Sequence, residues 1–130
     1  MKILIANPPN IEEIEKVFDF TGKAPVFTYG ENIYSPNGNH LSDDLIAHEN
    51  THMIQQGDEP AEWWKQYLKD KRFRLAEELE AYRIQYQYAK MRVKDRNRLF
   101  QFLYRIAADL SSPMYGNIIT HAEAMRQIKQ

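Results

Sequence analysis

The sequence predicts an α+β domain: a small amino-terminal sheet with a hairpin, followed by a mainly helical carboxyl-terminal part. Three observations carry this. The β-prone runs all fall before residue 36 and are short, with proline, asparagine and glycine between them. From Ser42 onward, apolar residues recur every three or four positions. A chain of 130 residues with 43% apolar content suffices for one compact core, so 1–130 reads as a single domain without repeat, linker or low-complexity segment.

Taken in order, Lys2 to Ala6 reads as a short buried strand stopped by Pro8 and Pro9. Asn10, with Glu13 three residues on, looks like a capping box opening a helix with Ile11, Ile14, Val17 and Phe18 on one stripe, and Gly22 follows as its stop. Pro25 to Tyr29 and Asn32 to Ser35 form a hairpin around Gly30. Ser42 is a good N-cap, and Asp43 and Asp44 complement the dipole of a helix ending at Gly57. On that helix Leu45, Ile46, Met53 and Ile54 supply the apolar surface expected to bury it. Pro60 opens an aromatic-rich helix with Trp63, Trp64, Tyr67 and Leu68. Phe73 to Val93 is the longest helix, with Leu75, Leu79, Tyr82, Tyr86 and Ala89 as its stripe. Asn97 to Leu110 is another, Met114 to Asn117 a loop, and Thr120 with Glu123 caps a last short helix.

Composition excludes several chemistries. With no cysteine, there is neither thiol catalysis nor disulfide, and any metal ligands must be His, Asp or Glu. The amino terminus is too short for a signal-peptide core, and no apolar run reaches the length of a membrane span, so no membrane partner is expected and a cytoplasmic location fits. Net charge is −1, which gives no global pull toward nucleic acid. Lys90, Arg92, Lys94, Arg96 and Arg98 form a basic run broken only by Asp95, but a place at the carboxyl end of the long helix accounts for it through the dipole, so nucleic acid is not expected as a partner.

The chemistry-bearing stretch is His48-Glu49-Asn50-Thr51-His52. At about 100° per residue the two histidines lie only about 40° apart on a helix and reach one ion. Two imidazoles plus one carboxylate suit Zn²⁺ and leave a fourth position open for water, whose proton Glu49 would accept. The obvious source of the third ligand is Glu77, Glu78 or Glu80. Glu78 lies closest to the Leu75–Leu79–Tyr82 stripe, whereas the other two point roughly 100° or more from its centre.

Glu78-Leu79-Glu80-Ala81, following the His-Glu-x-x-His helix, resembles the Glu-x-x-Ala signature of gluzincin metallopeptidases. The stretches Ala47 to Gln56, the Trp63-Trp64 helix and Arg72 to Arg83 are similar to small phage-encoded metallopeptidases, across about two thirds of the chain. That resemblance implies a zincin-like fold, Glu78 as ligand, a peptide or protein substrate lying along the Pro25–Ser35 hairpin, and, for a phage gene, the cytoplasm of a bacterial host. Larger relatives often carry an aspartate four residues after the ligand glutamate to orient a histidine; here Tyr82 stands there, a weaker partner for an imidazole. Tyr115 and His121 are the candidates to stabilise an oxyanion, while His40 reads as an ordinary loop residue. The expected function is zinc-dependent peptide-bond hydrolysis. The competing readings are a non-catalytic structural or assembly protein braced by its metal, and a nucleic-acid-associated module using Lys90 to Arg98.

Overall fold

The structure, a computed structural model, describes residues 1–130 and is α+β. In chain order it contains β1 (Lys2–Leu4), α1 (Ile11–Glu15), β2 (Phe27–Tyr29), β3 (Asn32–Tyr34), α2 (Asp43–Gln56), α3 (Pro60–Lys69), α4 (Lys71–Arg92), α5 (Arg96–Leu110), a 3₁₀ turn at Pro113–Tyr115, and α6 (His121–Lys129). The sheet order is β1-β3-β2, with β1 parallel and β2 antiparallel to β3. No helix is long and apolar enough to cross a membrane.

The hairpin forms as its sequence predicts. Tyr29 pairs with Asn32 across the two-residue loop Gly30-Glu31, and Gly30 takes the positive φ (63°) that such loops need. A two-residue loop makes Tyr29 and Asn32 the closing hydrogen-bonded pair, so Thr28 turns its backbone away from β3. Its carbonyl accepts from Gln56 Nε2 at 2.8 Å and from Trp64 Nε1 at 2.9 Å, which ties the free edge of β2 to α2 and α3.

Several local expectations fail for identifiable reasons. β1 is an edge strand of three residues instead of a buried one: Ile3 is 48% and Ile5 76% exposed. Asn10 and Ser42 sit at helix starts but neither side chain makes a capping hydrogen bond. Thr120 does cap, accepting from Glu123 N at 3.2 Å, yet Glu123 spends its own carboxylate on Arg126 and Gln127, so only half of that box closes. The dipole account of the basic run covers Lys90 and Arg92 alone, because α4 ends at Arg92. Arg96 and Arg98 fall in the first turn of α5, the end where a helix disfavours cations.

Two apolar clusters make the core. One joins α4, α5 and α6 through Leu79, Tyr86, Leu103, Ile106, Leu110 and Ile128; the other joins α1, the hairpin and α3 through Ile14, Phe27, Tyr34, Trp63, Trp64 and Tyr67. Helix α2 belongs to neither. Its buried residues are His48, Glu49, Thr51, His52 and Gln56, all polar, whereas Ile54 is 73% exposed and Leu45, Ile46 and Met53 are only partly covered. This reverses the apolar face read from the sequence. Burying such a face is costly unless each group is paired, so the polar contacts between α2 and α4 decide whether it is tolerated.

Candidate metal centre

Helices α2 and α4 cross so that His48, His52 and Glu78 meet, with one donor atom from each lying within 4.8 Å of the others. His48 Nε2 is 3.2 Å from Glu78 Oε1, and His52 Nε2 is 3.3 Å from Glu78 Oε2. All three side chains are buried. Glu77 and Glu80 stay outside the group: Glu77 Oε1 accepts from Trp63 Nε1 at 2.9 Å, and Glu80 Oε1 from Gln55 Nε2 at 2.8 Å. The helical phase therefore selects the same glutamate that the sequence does.

The outer nitrogens of both imidazoles are held by amides. His48 Nδ1 lies 2.9 Å from Gln85 Oε1, and His52 Nδ1 lies 2.8 Å from Gln55 Oε1. Each amide is oriented by its own donors, since Gln85 Nε2 reaches Asp44 Oδ2 at 2.8 Å while Gln55 Nε2 reaches Glu77 O at 2.9 Å as well as Glu80. Those partners only accept, so both amide oxygens face the histidines and each Nδ1 must donate. In the neutral rings, both Nε2 lone pairs then point at the Glu78 carboxylate.

The centre of the cluster calls for positive charge. Glu78 Oε1 is buried without a hydrogen-bond donor. Burial alone would lower the pKa of His52, but the Glu78 carboxylate, aided by Glu49 and Gln55, outweighs it and raises it to about 9. Burial opposes the charge on Glu78 too, yet the two imidazoles pull its carboxyl well below the usual range. A proton on His52 can supply that charge; so can a divalent cation, for which two imidazole nitrogens and a carboxylate are an ordinary zinc donor set.

Around this group stand residues that hold it. Tyr67 OH donates to Glu78 Oε2 at 2.6 Å. Thr28 Oγ1, on β2, donates to Glu49 Oε1 at 2.9 Å and lies 3.2 Å from Glu49 O, fixing the carboxylate beside the histidines, with Oε2 3.8 Å from His48 Nε2. Burial pushes the Glu49 carboxyl up despite its imidazole neighbours, which suits a proton acceptor. Tyr82 does not bond an imidazole. It packs its ring against His48, 4.4 Å between centroids, and its hydroxyl lies 3.0 Å from that of Tyr115. Burial, with Glu78 nearby, raises the pKa of both phenols well above the ordinary value, so both remain O–H groups.

Tyr115 thus reaches the site and His121 does not. His121 packs on the Tyr104 ring at 4.4 Å and places Nε2 3.0 Å from Tyr104 O, while His40 is an exposed loop residue as expected. The Tyr115 loop is latched by Arg74, a buried guanidinium with no carboxylate within ion-pair range. Its three nitrogens donate to Tyr67 O, Leu68 O and Tyr115 O at 2.9, 3.0 and 2.9 Å. Gly116 has φ 94°, and a Cβ there would sit 3.1 Å from Arg74 Nη1.

His48, Glu49, His52, Glu78, Tyr82 and Tyr115 all line a cavity of about 270 Å³. Phe20, Val26, Leu45 and Met114 give it apolar walls, and Lys23 and Asp109 are its charged residues away from the metal group. Pro25 to Thr28 form one side, and because Thr28 O is already taken, only the part of the hairpin edge before Phe27 is open to pair with an extended chain. Sequence reasoning missed Gln55, Gln85, Thr28, Tyr67 and Arg74. A signal existed for the two glutamines: Gln55 is three residues past His52, and Gln85 lies two turns beyond Glu78 on the same helix face. Searches against family models, curated proteins and solved structures found no match to the chain.

Proposed function

We propose that the chain is a zinc-dependent peptidase of minimal zincin-like form, similar to the gluzincin clan and to its small phage-encoded members, acting on a peptide or protein substrate in the cytoplasm of a host cell. The observation that carries this reading is the convergence of His48 Nε2, His52 Nε2 and the Glu78 carboxylate, with buried Glu49 alongside, on a cavity. A zinc ion held by these three residues would supply Lewis acidity toward the substrate carbonyl and lower the pKa of water at the site. Glu49, steadied by Thr28, takes the proton of the attacking water and passes it to the leaving amine. The Tyr115 hydroxyl, kept protonated beside Tyr82 on the cavity wall, would donate to the oxygen on which negative charge develops. Substrate would lie along residues 24–26, with side chains against Phe20, Val26, Leu45 and Met114. The test pairs elemental analysis of protein purified without chelator with cleavage of a mixed peptide library. Stoichiometric zinc and cleavage that disappears in Glu49→Gln support the reading. Zinc without cleavage leaves the brace, because the same buried cluster would then serve only to join α2 to α4.

A further inference from the structure

We infer that the corner between α4 and α5, continued along α5 by its exposed rings, is a docking surface for single-stranded nucleic acid, independent of the metal centre. Residues 90–98 carry five cations and one carboxylate in a chain whose net charge is −1. Lys90, Arg92, Lys94, Arg96 and Arg98 are all exposed, and none lies within ion-pair distance of a carboxylate. Asp95 is spent as the N-cap of α5, accepting from Asn97 N at 2.8 Å and Arg98 N at 3.4 Å. Folding gains nothing from Arg96 and Arg98, which stand in the first turn of α5 against its dipole. A polyanion laid across the corner removes that repulsion and meets the whole cluster.

The chemistry beside the cations selects the polyanion. Arg96, Phe100 and Tyr104 follow one another at four-residue spacing along one edge of α5. Phe100 and Tyr104 are 56% and 55% exposed, outside the packing that takes Leu103, Ile106 and Leu110. Their ring centroids are 6.4 Å apart and tilted by 44°. One interposed aromatic plane needs about 7 Å, twice a van der Waals stacking contact, so a small rotation of the exposed Phe100 ring admits a base between it and the Tyr104 ring, which His121 packs against at 4.4 Å. A duplex hides its base faces in its own stack, whereas a single strand presents them. Two of the three large exposed apolar groups at this surface, Phe100 and Tyr104, are rings, and Met91 alone is not, which favours bases over lipid tails.

The test measures fluorescence anisotropy of a labelled oligothymidine with the full metal-loaded chain, the Arg96→Glu/Arg98→Glu double variant and the Phe100→Ala/Tyr104→Ala double variant, each checked by circular dichroism for an unchanged fold. Binding should weaken with salt, and the double arginine variant, which removes two phosphate contacts at about 0.7 each, should flatten the log–log slope by about 1.4. The ring variant should lose about fivefold or more in affinity with its slope unchanged. No binding at low salt, ring removal without effect, or preferred binding to duplex DNA or to phosphatidylserine vesicles would each overturn the proposal. Zinc content and peptide cleavage should be the same in all three proteins, so failure here is separable from failure of the peptidase reading.

Discussion

At the scale of single residues, the roles of four carboxylates and two amides can be separated by substitution. Glu49→Gln keeps the size of the side chain and removes its capacity to take a proton, so zinc content and unfolding temperature should hold while cleavage falls by at least about 100-fold. Glu78→Ala should strip the metal. Glu77→Ala should retain zinc but lose the Trp63 hydrogen bond, and Glu80→Ala should weaken zinc only slightly, through Gln55. Gln55→Leu and Gln85→Leu should each lower zinc affinity by roughly 10- to 100-fold, the usual effect of freeing a ligand histidine. Chelator competition reads all of these; affinities unchanged in both leucine variants would mean that packing alone orients the rings. His48, His52 and Glu78 were legible in the sequence because helical periodicity fixes which neighbours share a face. Thr28 and Tyr67 were not, since each joins the site from an element, β2 or α3, that carries no metal-site motif of its own, whereas Glu78 stood out by its helical phase and the Glu-x-x-Ala resemblance.

At the scale of elements, the sequence shows where the hairpin and helices lie, because proline and glycine punctuate them, but it carries the first helix past Glu15, where α1 ends, and overlooks Asp70 and Asp95, the N-caps that start α4 and α5 at Lys71 and Arg96. It misleads about α2. The scattered apolar residues of that helix suggest the side that packs, but its polar side is the buried one, since α4 offers it hydrogen-bond partners and the aliphatic clusters lie elsewhere. The length of α4 is what lets one helix bring Arg74, Glu78, Tyr82 and Gln85 to the same place over three turns. Arg74 then fastens a second element, the turn that carries Tyr115. Gly116→Ala tests that fastening: a Cβ at φ 94° and 3.1 Å from Arg74 Nη1 should cost at least about 1 kcal/mol and displace Tyr115. Turnover should fall while zinc affinity stays, because His48, His52 and Glu78 are untouched. Full activity in this variant would remove Tyr115 from the proposed chemistry.

At the scale of the whole molecule, the His48–His52–Glu78 cluster sits where α2 and α4 bridge two separate apolar clusters, so its charge state should set the stability of the entire fold and do so with opposite pH dependence with and without zinc. In the metal-free chain His52 has a folded pKa of about 9 against an ordinary 6.5. Its contribution is therefore complete below about pH 6.5 and is lost as pH rises through about 9. Glu78, depressed from 4.5, contributes fully above about 4.5 and loses that contribution as pH falls toward its lowered value. The metal-free protein should accordingly be most stable between about pH 4.5 and 6.5 and weaken on going alkaline. On the proposed reading zinc should reverse the trend, because it would compete with the imidazole proton and bind better as pH rises from 5 toward 8. At a free zinc concentration of about 100 times Kd it adds about 2.7 kcal/mol, roughly 10 °C in unfolding temperature for a domain of this size. Melting curves from pH 5 to 9, with chelator and with zinc, should therefore diverge as pH increases. Parallel curves would show that no divalent ion replaces the proton between His52 and Glu78, and the cluster would then stand as a buried charge pair.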